Sequence, residues 1–195
     1  MQAVWKQRKG KIELVTGMYL LVMLIILLAV QFQLKLFMNI SSYMEDALAA
    51  SNLASAVIDI REYGTTGILQ IADPDAAYRL YREAVRQNLQ LDDNWENSNK
   101  DLIAGQVEIL KYEIYNVKKK DIIIYSFGEE GQNVRIVTGG LGSVRTPDGT
   151  LVESTSVYSK ITFPVKGFFG VQVQAQKHKT VDIVTNLEMT EEEQH

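Results

Sequence analysis

Leu14-Val-Thr-Gly-Met-Tyr-Leu-Leu-Val-Met-Leu-Ile-Ile-Leu-Leu-Ala-Val-Gln-Phe-Gln-Leu34 lies between Glu13 and Lys35 and carries no charge. At about 1.5 Å per residue, roughly 21 residues cover about 30 Å, the thickness of a bilayer's hydrocarbon core. The stretch is apolar on all sides, whereas a surface helix of a soluble domain is apolar on one face. It reads as a single transmembrane helix over 14–34. Lys6, Arg8, Lys9 and Lys11 precede it, and Lys35 is the one basic residue close behind before Arg61. The positive-inside rule then places leader 1–13 in the cytoplasm and everything beyond the span outside it. The apolar run exceeds the ~7–15 residues of a secretory h-region and no A-x-A site follows, so removal as a conventional secretory signal peptide is not expected.

Working outward, residues 36–60 contain no proline or glycine. Leu36, Ile40, Tyr43, Ala47, Ala50, Ala54 and Val57 recur at helical spacing, which predicts an amphipathic stalk helix over 35–62, continuous with the span. Its small residues would let a sheet or another helix approach closely. Tyr63-Gly-Thr-Thr-Gly67 reads as a break. Asp73-Pro74 supplies an N-cap and a first-turn proline. Ala77, Leu80, Tyr81, Ala84, Val85 and Leu89 then mark an amphipathic helix. From residue 106 the pattern becomes β-branched, aromatic and alternating, with strands expected at 106–117, 121–127, 133–138, 152–163, 170–177 and 181–184. Lys177-His178-Lys179 is read as a turn. In 170–176, Val171, Val173 and Ala175 are expected to face the core. Short connections imply antiparallel neighbours. The fold class is α+β: a long N-terminal helix, then an extracytoplasmic domain at 63–187 with one or two helices and an antiparallel sheet, then an acidic tail at 188–195 expected to be disordered.

The 195 residues leave room for one ordinary domain plus the anchor. Net charge is −4 with basic residues dispersed, so no nucleic-acid partner is indicated. The absence of cysteine excludes disulfides and thiolate chemistry and, in a domain outside the cytoplasm, points to a bacterial envelope. No constellation calls for catalysis, a metal or a cofactor. His178 and His195 stand apart, Ser159 and Lys160 are strand neighbours pointing to opposite faces, and Gly139-Gly-Leu-Gly142 joins strands rather than opening a helix. Asp92-Asp-Asn-Trp-Glu-Asn97 lacks calcium-loop spacing and reads as a solvated turn. Tyr112, Tyr115, Tyr125 and Tyr158 are expected in the core or on a sheet face.

A short basic leader with Gly10, then Ile12-Glu13-Leu14-Val15 heading a long apolar helix, an amphipathic stalk and a small α+β domain resembles the type IV pilins. Within them it is most similar to the TadE-like minor pilins of Tad (Flp) pilus systems. The resemblance covers about residues 8–60. It implies a pilin-like or pseudopilin fold and a structural role in a surface or secretion filament, with other subunits, copies of itself and a prepilin peptidase as partners. It also implies Gly10 as the candidate processing site and Glu13 as an assembly residue that neutralises a positive group on a neighbouring subunit. A bitopic scaffold subunit of a conjugation or secretion channel is the alternative. A ligand-sensing or adhesive extracellular domain comes third, disfavoured as a sensor because about ten cytoplasmic residues leave no room for a signalling output.

Overall fold

A computed structural model describes residues 2–100, 103–128, 131–167 and 171–184, with the backbone alone for 2–12. The expected tail 188–195 and His195 lie outside the described residues. The chain divides into two compact units, 1–41 and 42–195.

The first unit is helical. Helix α1 runs from Gln2 to Ser55, so the basic leader is part of it, and only its first portion belongs to this unit. The large apolar side chains of its central stretch stand open, with Leu20 62% and Leu28 60% exposed. The helix is long and apolar enough to cross a membrane, with an 18-residue window of mean hydropathy 2.5.

The second unit is α+β. Helices α2 (Ile60–Thr66) and α3 (Pro74–Asn88) precede strands β1 (Glu108–Lys118), β2 (Asp121–Gly128), β3 (Gly131–Val137), β4 (Ser156–Lys166) and β5 (Gln172–Asp182). These form one antiparallel sheet in the order β3-β2-β1-β4-β5.

The stalk helix stops at Ser55 rather than near Ile60, because the next residues are claimed elsewhere. Ile58 bridges Ile71, the Asp59 N–H donates to the Gln70 carbonyl, and Asp59 Oδ1 accepts from the N–H groups of Arg61 and Glu62. Asp59 therefore caps a new helix, α2. Gly64 sits inside α2, and Gly67 at φ 70 terminates it, so of the two glycines only the second breaks the helix. Helix α3 begins as its sequence predicts, with Asp73 accepting from the Ala76 N–H at 2.9 Å and Pro74 in the first turn.

Alternation along the strands gives the sheet two occupied faces. Met44, Leu48, Tyr81 and Val85 from α1 and α3 pack over one of them, above Tyr112, Ile114, Val157 and Ile161, all within 2% of full burial. Each such side chain contributes about 1.5–3 kcal/mol. An aromatic group anchors α3, with Tyr81 over Tyr112 at 4.5 Å and Tyr78 over Phe127 at 4.7 Å. On the opposite face the connection from β3 to β4 folds back. Val152, with Val144 beside it, covers Tyr115, Ile122, Ile124 and Tyr158 in a second, smaller core. Gly140 makes this possible, since a Cβ there would lie 2.8 Å from Val137 and 3.0 Å from Val144.

Two strand expectations are corrected. Lys177-His178-Lys179 is no turn, because β5 continues unbroken from Gln172 to Asp182. The alternation sends Lys177 and Lys179 to one face, where both meet Glu45, and His178 to the other, 6.2 Å from the Tyr158 ring. Val171 and Val173 do not enter the core and are 62% and 52% exposed. β5 is an edge strand that α1 crosses at the lysines, and the valines lie beyond that crossing.

Candidate assembly surface

Glu13 is exposed near the start of α1, one turn after Gly10, and both are helical. Among the stripe residues, Ile40 and Ala47 are buried, Leu36 and Tyr43 are half-buried, and Ala50 and Ala54 are exposed. Val57 has left the helix and is 54% exposed. The face that docks in the second unit is rotated from the one the periodicity selects. It consists of Met44, Ala47, Leu48, Ser51, Asn52 and Ser55. Its last turns are polar, which an apolar-period rule passes over.

These polar residues are tied by specific hydrogen bonds. Ser51 Oγ donates to the Ala47 carbonyl at 2.7 Å and accepts from Asn88 Nδ2 at 3.0 Å. Asn52 Nδ2 donates to the Lys179 carbonyl at 2.9 Å. Ser55 Oγ donates to the Asn52 carbonyl at 2.7 Å and accepts from Tyr112 Oη at 2.8 Å. Tyr43 Oη donates to the Asn88 carbonyl at 2.8 Å. Burial pushes the Tyr112 hydroxyl above its usual range, with the Ser55 hydrogen bond pulling the other way. It therefore remains a donor at neutral pH.

Glu45 closes the contact between α1 and β5. Lys179 Nζ lies 2.8 Å and Lys177 Nζ 3.0 Å from its carboxylate oxygens. Their hydrogen bonds and charges hold the Glu45 carboxyl at about 2. The signal in the sequence was the Lys-x-Lys alternation, which on a strand puts two ammonium groups on one face.

The far face of the sheet carries a polar network. Glu113, 5% exposed, accepts from Ser126 Oγ at 2.9 Å, from Lys111 Nζ at 2.9 Å and from Tyr115 Oη. Burial, and then the Glu113 hydrogen bond, push the Tyr115 hydroxyl up. The charge is paired and hydrogen-bonded, which is the condition for burying a carboxylate. Beside it a groove of about 560 Å³ is lined by Lys111, Ser126, Gly128 and Asn133 among others. A second groove, of about 360 Å³, runs between α3 and the start of β1. In it the Arg82 guanidinium lies 5.3 Å from the Trp95 ring centre.

Residues weighed for chemistry are dispersed. Ser159 is buried beneath α3 while Lys160 faces the other way. Asp92 Oδ1 accepts from the Asn94 and Glu96 N–H groups and so organises its own turn. Tyr112, Tyr115 and Tyr158 are buried and Tyr125 is half-buried. Among the described residues no group of three or more histidine, aspartate or glutamate side chains is placed to hold a metal. Comparison with protein-family models, with curated proteins and with solved structures returns no match.

Proposed function

We propose that this chain is a pilin-like structural subunit, a minor pilin or pseudopilin of a Tad-type or type IV pilus or a related secretion filament. Before assembly it would be held in the cytoplasmic membrane of a bacterium by one span, N-terminus inside. The observation that carries the reading is the build of α1. An exposed, uncharged segment headed by Glu13 continues in the same helix into residues that dock on an antiparallel sheet. In a hydrocarbon surround Glu13 needs a cationic partner, and the amino group of a neighbouring subunit supplies one.

Replacing Glu13 by lysine tests this. The variant is expected to insert in the membrane at the wild-type level and to be lost from sheared surface filaments. Incorporation at the wild-type level refutes the role.

A bitopic scaffold of a secretion or conjugation channel is the second reading. It is favoured by the helical backbone through Gly10, since a peptidase needs its substrate locally extended. The mass of the mature chain bears on the choice: a start at Lys11 establishes pilin-type processing.

A further inference from the structure

The first half of β5 is a strand edge without the usual protection. Among the described residues β5 pairs with β4 alone, in unbroken register from Ser156↔Asp182 to Lys166↔Gln172. Residues 171–176 read Val-Gln-Val-Gln-Ala-Gln, with no charge, proline or glycine. Edges are ordinarily blunted by lysine, proline or bulges. The second half of β5 has Lys177 and Lys179, and the first half has nothing comparable.

We propose that this edge pairs antiparallel with the same edge of a second copy, about a two-fold axis through Val173. The segment is its own complement about that point. Val173 meets its equivalent, Val171 meets the other copy's Ala175, and Gln172 meets Gln174, whose amides both donate and accept. All three apolar positions share one face, so the pairing covers the exposed valines of both copies. An axis one residue later, at Gln174, would set Val171 against Lys177 and leave an ammonium beside apolar surface.

The other edge of the sheet is a poorer occupant. Val134 lies in the row that runs through Tyr125, Ile114 and Val157 to Val181. Matching it to Val173 would slide the second copy by about eight residues, or about 26 Å along the strand. It would also bring Arg135 into the seam. A strand pair this short buries less than a stable soluble dimer requires, and confinement of copies to one membrane makes up the difference in effective concentration. This gain in effective concentration rests on the proposed membrane anchoring; the pairing itself uses only the sheet edge.

Because the chain has no cysteine, single substitutions report cleanly. The full chain is reconstituted in lipid vesicles at low protein density and oxidised. Directly opposed positions bring Cβ atoms within disulfide reach. Val173→Cys is therefore expected to give a covalent dimer several-fold faster than Val134→Cys, whose side chain is 50% exposed on the other edge. Val171→Cys mixed with Ala175→Cys should cross-link faster than either alone. Melting curves by circular dichroism are expected to match wild type for all four. Equal rates at 173 and 134 overturn the proposal, as does a 134/173 mixture outpacing 173 alone, or 171 alone outpacing the 171/175 mixture. Cross-linking at 173 that persists when Glu13→Lys has no effect on filaments would leave this pairing standing and the pilin reading refuted.

Discussion

Asn116 on β1 holds the segment that links α2 to α3, and replacing it separates hydrogen bonding from packing. Its Oδ1 accepts from the Ile71 N–H at 2.9 Å and its Nδ2 donates to the Ile71 carbonyl at 3.1 Å. Asn116 is 4% and Ile71 2% exposed, so both backbone groups of Ile71 are sealed from solvent. Leaving a buried donor or acceptor unmade costs about 1–3 kcal/mol each, so Asn116→Leu, which fills the space and keeps water out, should cost about 2–6 kcal/mol. Asn116→Ala opens room for a water to reach Ile71 and should cost less, about 1–3 kcal/mol, although it removes more atoms. Packing alone predicts the opposite order. Asn116→Asp keeps the acceptor and loses the donor. Buried beside the Ile71 carbonyl, its folded-state pKa rises above the unfolded value, so its deficit should shrink as pH falls and the protonated acid donates to that carbonyl. Urea unfolding of the full chain in detergent, followed by Trp95 fluorescence in a Trp5→Phe background, measures all three. A leucine variant at least as stable as the alanine variant would refute the reasoning.

Glu45 sets an acid limit on the contact between α1 and β5. Its folded pKa of about 2 lies below the unfolded value, so its contribution is fully present above about pH 4.5 and is lost as pH falls towards 2. Glu45→Gln should flatten that part of the acid-unfolding curve while costing little at pH 7, since the carboxylate is substantially exposed and screened. Two glycines should respond in opposite directions to alanine. Gly64→Ala meets nothing within 4 Å in the middle of α2 and should stabilise by about 0.5–1 kcal/mol. Gly140→Ala must displace Val137 and Val144 and should destabilise by about 1–3 kcal/mol, both read from the same urea curves.

The elements that were legible in the sequence are those whose signal is local. Asp73-Pro74 announces α3 because capping and a fixed proline φ act within one turn. The uncharged run from Leu14 to Leu34 announces an apolar helix for the same reason. Lys177-His178-Lys179 does not announce a strand, because a charge run marks a turn only if nothing pairs with it, and the pairing carboxylate, Glu45, comes from α1, far back in the chain. The stalk face is not legible from spacing, because small side chains satisfy a spacing rule equally well buried or exposed. Ala47 is inside and Ala50 outside, and the true face is completed by serine and asparagine whose partners are distant in sequence. Of the candidate site, Glu13 at the head of the apolar run is legible in the sequence, whereas the helical backbone at Gly10, which falls in the expected leader 1–13, is not. Around Glu113, Lys111 and Tyr115 flank it at two-residue spacing on the same strand, and only the third donor, Ser126, depends on the register of β1 with β2.

On the proposed membrane reading, the serines and asparagine on the last turns of α1 also bear on how the chain is sorted during its synthesis. Lys35, Glu45 and Asp46 interrupt the apolar character of this helix of 54 residues, but its last turns, 47–55, carry no charge to keep them out of lipid. Ser51, Asn52 and Ser55 disfavour transfer of their segment into hydrocarbon. They keep that part of the helix available for the sheet, which is synthesised only later. One face thus rejects one solvent early and recognises its protein partner afterwards, and a substitution such as Asn52→Leu would blur the border between the two before folding begins.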